Sequence, residues 1–105
     1  LTTLALLVVS ASATLKKANE YKSGDCSGDL NFGHKSGNLG DVTMDDSTHS
    51  VYLATQEGDD TWEGWSGKTK NGGGCTGEKL GLVPHLECLN LDTTTTQRIQ
   101  CVRYV

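Results

Sequence analysis

One short phrase occurs twice in this chain. Cys26-Ser27-Gly28-Asp29 is answered 49 residues later by Cys75-Thr76-Gly77-Glu78. Each copy leads into a β-type run at nearly the same distance: 24 residues from Cys26 to Ser50-Val51-Tyr52-Leu53, and 23 from Cys75 to Arg98-Ile99-Gln100-Cys101. A fixed period of this length, with a cysteine and a glycine at the same place in each copy, predicts two related β motifs packed as one domain.

The length agrees, since 105 residues suffice for one small domain. Residues 1–13 read differently from the rest. Leu4 to Val9 is an unbroken apolar run, followed by the small-x-small pattern Ala11-Ser12-Ala13. This is the signature of a secretory signal peptide, here truncated. If the segment is instead retained in the mature protein, it reads as an N-terminal apolar strand. Its burial would then call for a partner copy, and a homodimer with Leu4 to Val9 in the interface is the expectation. Residues 14–105 read as a single β domain.

Thirteen glycines stand against a single proline, Pro84, with short apolar alternations between them. That pattern predicts many turns joining short strands, and no segment after residue 15 keeps a helical period. The clearest strands are Ser50 to Thr55 and Arg98 to Val105, with Ile99 and Cys101 facing inward. Weaker ones are Asn19 to Lys22, Asp29 to Gly33, Thr61 to Trp65 and Lys79 to Val83. The fold class is all-β: a small Greek-key sandwich or β-barrel stapled by disulfides. Apolar residues are few for a core, and Cys26, Cys75, Cys88 and Cys101 compensate in an oxidising compartment. Three pairings are open to four cysteines. The preferred one joins Cys75 to Cys88 in a local loop and Cys26 to Cys101 between first and last strands, each worth roughly 3 to 4.5 kcal/mol. No pair has the C-x-x-C spacing of a zinc site.

The net charge of −4, with no basic run beyond Lys16-Lys17, argues against nucleic acid as a partner. No apolar stretch after the leader reaches membrane-spanning length. Enzyme signatures fail on spacing: Gly64-Trp65-Ser66-Gly67 is not a nucleophile elbow, and the phosphate-loop-like run ending at Glu78-Lys79 has its lysine one residue late, with Leu80 where magnesium needs a hydroxyl. His34, His49 and His85 are scattered. No catalysis is expected.

Two resemblances follow. Tyr21, Cys26 and Gly28, with the arch Asp45-Asp46-Ser47-Thr48-His49-Ser50, resemble one Greek-key motif of the βγ-crystallin superfamily, and Trp65, Cys75 and Gly77 echo it more loosely. This likeness implies a calcium site at Asp45, Asp46 and Ser50, because paired carboxylates and a hydroxyl supply hard oxygen ligands. His49 and Thr93-Thr94 depart from the pattern, and the plain alternative is a carboxylate-capped turn. The leader, Gly24-Asp25-Cys26-Ser27-Gly28, Phe32-Gly33-His34-Lys35, Val42 to Asp46, Trp65 to Lys68, Cys88 to Asp92 and Cys101-Val102-Arg103 resemble small secreted cysteine-containing proteins of filamentous fungi, of the effector or hypersensitive-response-inducing elicitor type. That resemblance implies an extracellular protein acting by binding a protein or carbohydrate of a host, a plant. Killer-toxin-like and protease-inhibitor modules of crystallin-like fold are the rival class. Trp62 and Trp65 are the candidate partner-binding residues: three apart on a strand, they fall on opposite faces, one for the core and one for a ligand.

Overall fold

A computed structural model describes residues 15–55 and 61–105. Among these residues eight strands occur and no helix: β1 Lys16–Tyr21, β2 Leu30–Ser36, β3 Asp41–Thr43, β4 Ser50–Thr55, β5 Trp62–Lys68, β6 Cys75–Val83, β7 Cys88–Asn90 and β8 Cys101–Tyr104. They form two antiparallel four-stranded sheets, ordered β2-β1-β4-β7 and β3-β8-β5-β6. Counting four strands onward turns one order into the other. Each motif therefore keeps its first, second and fourth strands in one sheet and sends its third to the opposite sheet, so the halves interlock.

The repeat is visible in the backbone. Gly28 and Gly77 have φ of 81° and 80°, a left-handed conformation that a side chain resists. At Gly77 a Cβ would also lie 2.5 Å from Ser66 Oγ. The repeated phrase thus sets a left-handed glycine at the same point of each copy, in the β1–β2 loop of the first and within β6 in the second.

The sheets close on an apolar core. Ala18, Met44, Val51, Leu53, Trp62, Leu91, Ile99 and Val102 are wholly buried within it. Period two sets the inner face: Ala18 and Glu20 of β1 lie opposite Leu53 and Val51 of β4. Within the second sheet, Trp62 of β5 meets its cross-strand partner Tyr104 of β8 edge-on, ring centres 5.3 Å apart. Strand β4 has the bounds expected from sequence. The run at the chain end forms a strand only from Cys101, and β3 and β7, each of three residues, are additions to the expected set. Cys101 is buried, as expected, but it pairs with Trp65, whereas Val102 pairs with the inward Gly64. It therefore shares the outer face with Trp65, where the Cys75 corner covers it. The leader segment, and with it the proposed dimer interface, lies outside the described residues.

The disulfides correct the preferred pairing. Cys26 is joined to Cys88 and Cys75 to Cys101, with Cα separations of 5.8 and 5.3 Å. The interlock is the reason. Strand β7 pairs with β4 in the first sheet and takes Cys88 away from Cys75, to the loop that carries Cys26. Strand β8 lies between β3 and β5 in the second sheet, within reach of Cys75 and remote from Cys26. Bridges spanning 62 and 26 residues stabilise the chain by about 4 and about 3.5 kcal/mol on loop-closure grounds. The first also locks one motif to the other.

Candidate functional site

The two sheets do not cover each other completely. Strand β2 is an edge, and Phe32 and His34 lie opposite Glu20 and Ala18 on the core-facing side. Among the described residues the second sheet offers here only β3 and the turn at Asn71 and Gly72. A cleft of about 140 Å³ opens between them, lined by Glu20, Phe32, His34, Thr43, Asp45 and Asn71.

Glu20 forms its floor and is 1% exposed. A buried carboxylate costs several kcal/mol unless its oxygens are met. Here Oε1 accepts the Asp45 N–H at 3.0 Å and the Thr48 hydroxyl at 2.7 Å, and Oε2 is bonded to His34 Nε2. Sequence reading missed Glu20 because a glutamate in a weak strand looks like a solvated residue. The only available signal was its spacing of two from Ala18. His34, one of the three scattered histidines, does meet an acid in the fold.

Beside the cleft the β2 edge is apolar. Leu30 and Phe32 are 51% and 47% exposed. A register shift at Tyr21 turns Leu30 to the outer face while Phe32 stays on the inner one, so this edge carries an apolar side chain on each side. Among the described residues the other three edges are shorter or more irregular. Strands β3 and β7 are three residues long, and β6 is broken by register shifts and by left-handed Gly77 and Gly81. Strand β2 offers seven residues without a proline.

The tryptophans separate as alternation requires. Trp62 is fully buried. Trp65 lies on the outer face of the second sheet, half-buried, with the Arg103 guanidinium 4.7 Å from its ring centre. Arg103 is in turn held by Asp41 in a two-pronged pair at 2.6 and 3.0 Å. Arg103 beside it holds the Asp41 carboxyl below its ordinary range. The Trp65 Nε1 is shielded from solvent and finds no acceptor among the described residues. Its exposed face is thus largely taken by Arg103, and Leu30 and Phe32 are the freer apolar surface.

The acidic arch is also occupied, by the chain's own groups. Asp45 accepts from the Ser47 N–H at 2.9 Å and from its hydroxyl, closing a turn and holding its carboxyl below the usual range. Asp46 pairs with Lys68. The Ser50 hydroxyl donates to the Ser23 carbonyl at 2.6 Å and accepts the Cys26 N–H at 2.9 Å. His49 bonds Asp92, which Arg98 also holds. Burial raises the Asp92 carboxyl, but Arg98 and His49 together outweigh it and leave it lowered. Asp45, Asp46 and Ser50 therefore face three different partners, and among the described residues no group of three or more His, Cys, Asp or Glu converges as metal ligands would.

No protein-family model matches the chain, and no curated protein or solved structure matches it significantly. Among the described residues no helix is long and apolar enough to cross a membrane. Two disulfides suit an oxidising, extracellular-type environment.

Proposed function

We propose that this chain is a secreted binding module of the effector or elicitor kind, made by a fungus and acting outside the cell on a plant protein. The observation that carries this reading is the β2 edge. It is a seven-residue edge strand of a disulfide-clamped sandwich, free of proline, with its one register shift at its start, and apolar on both faces beside a cleft with a buried carboxylate. An exposed edge recognises an extended backbone by adding it as a strand, with flanking side chains setting specificity. A host protein is therefore the favoured occupant over a carbohydrate. The interlocked two-motif order supports the crystallin-like reading of the fold, and with it keeps the toxin or protease-inhibitor class as the rival.

The test is infiltration of the oxidised protein into leaves, beside its reduced and alkylated form and beside a variant carrying Leu30→Asp and Phe32→Asp. The expected outcome is an oxidative burst and cell death that need both the disulfides and the apolar edge. A full response from the edge variant would remove β2 from the reading. Silence of the oxidised protein in several plant species, with inhibition of a protease or of yeast growth, would establish the rival class.

A further inference from the structure

The crystallin-like resemblance implies calcium at the acidic arch, and the residues present do not fit that ion. Ser47 holds the Asp45 carboxylate, Ser23 and Cys26 hold the Ser50 hydroxyl, and the Asp46 carboxylate and the carbonyls at the arch are bonded by cations of the chain. The Lys68 ammonium has three N–H donors and three oxygen acceptors: the Met44 carbonyl at 2.7 Å, Asn71 Oδ1 at 2.6 Å and Asp46 Oδ1 at 2.9 Å. Its side chain is only 13% exposed. A charge withdrawn this far from water persists where every proton is bonded and an anion is near, and both conditions are met. On the far side of the arch, Arg98 donates through Nη2 to the carbonyls of Asp45 and Thr48, at 3.2 and 2.7 Å, while Nη1 bonds Asp92. Main-chain carbonyls, a side-chain amide and a carboxylate are the oxygen types that calcium selects. Here they converge on nitrogen.

We propose that the Lys68 ammonium is a tethered cation standing where such an arch would take a divalent ion, with Arg98 as its counterpart across the loop, so that the native fold is indifferent to calcium. The lysine is supplied by the end of β5 and its acceptors by the arch and the β5–β6 turn. One ammonium therefore ties the arch of the first motif to the second. A free ion doing the same work would be lost on dilution or chelation outside the cell. A covalently attached one is not.

The test uses thermal unfolding of the full chain in a chelator and in 10 mM calcium chloride, for the native protein and for Lys68→Met, which keeps the apolar stem and removes the charge. The native protein should melt within about 2 °C of the same temperature in both solutions. Lys68→Met should melt about 8 °C lower in chelator, through the unpaired carbonyl, amide and carboxylate it leaves, and 10 mM calcium should restore roughly half of that loss. Lys68→Arg, retaining a cation, should show no calcium response.

A saturable rise in the native melting temperature on adding calcium would overturn the proposal, because it would reveal an open site. So would a Lys68→Met protein that is as stable as the native one, or one that calcium does not restore, since either shows that these oxygens do not require a cation. Should Lys68→Met fail to fold in chelator, its recovery on refolding in calcium supports the proposal, and failure in both solutions overturns it.

Discussion

The sandwich buries two very different things at its two seams. Around Trp62 the core is apolar: the indole is fully buried and meets Tyr104 edge-on. Around Glu20, at the β2 seam, the chain buries a carboxylate with equal completeness and satisfies it with a backbone N–H, a hydroxyl and an imidazole. The first kind of burial is non-directional and gains in proportion to the area removed from water. The second gains little net energy but tolerates very few arrangements, because each donor must stay in place. The apolar seam therefore supplies stability, and the polar seam fixes the arch and the β2 edge relative to each other.

The largest effect should follow from Trp62→Ala. Removing a fully buried indole leaves a void in the core beneath β5 and costs about 3 to 5 kcal/mol, a large share of a small domain's stability. Chemical denaturation of the oxidised protein measures it. A loss under about 1 kcal/mol would show that the disulfides, not the core, hold this sheet pair.

The polar seam is separated from its opposite by two substitutions at one site. Glu20→Leu leaves the Asp45 N–H and the Thr48 hydroxyl buried without an acceptor and should cost about 2 to 3 kcal/mol. Glu20→Gln keeps an oxygen for both donors and turns its amide to His34, which accepts in its other tautomer, so it should cost about 1 kcal/mol or less. A leucine as well tolerated as glutamine would mean that the carboxylate is not a structural group at all, and would leave its role to whatever enters the cleft.

These contrasts explain what the sequence disclosed. Strand β4 was legible because Val51 and Leu53, two apart in a β-forming run, mark one face, although its central place in the sheet leaves five of its six residues buried. The split between Trp62 and Trp65 was legible because the period of two is a property of any strand. The three-residue strands β3 and β7 were not, since three residues cannot display an alternation, and they are the strands that cross between sheets. Missing β7 is what misled the cysteine pairing: with Cys88 left in its own motif, Cys75 is its natural neighbour. Glu20 and Lys68 were illegible for another reason. Their acceptors and donors lie 14 to 28 residues away for Glu20 and mostly 22 to 24 away for Lys68, and no local pattern announces such a pairing.

The smallest effect belongs to a third kind of polar group, the half-exposed pair of Asp41 and Arg103 on the outer face. Their side chains are 27% and 36% exposed, so screening by water limits Asp41→Asn to about 1 kcal/mol or less near neutrality. Its pH dependence tells more than its size. The Asp41 carboxyl is depressed in the folded state by Arg103, with the Cys75 N–H adding a further bond at 3.0 Å. A depressed carboxyl contributes stability that is complete above its unfolded value of about 3.9 and is lost as pH falls through the lower folded value. The difference between native protein and Asp41→Asn should therefore stay constant from about pH 5 to 8 and shrink in the acid limb below about pH 4. Unfolding curves for both proteins across that range measure it. A difference that persists unchanged at pH 2 would show that Asp41 acts through its hydrogen bond to Cys75 and not through its charge. The Arg103 clamp over Trp65 would then be held by stacking alone, and the outer face would be open to a ligand able to displace it.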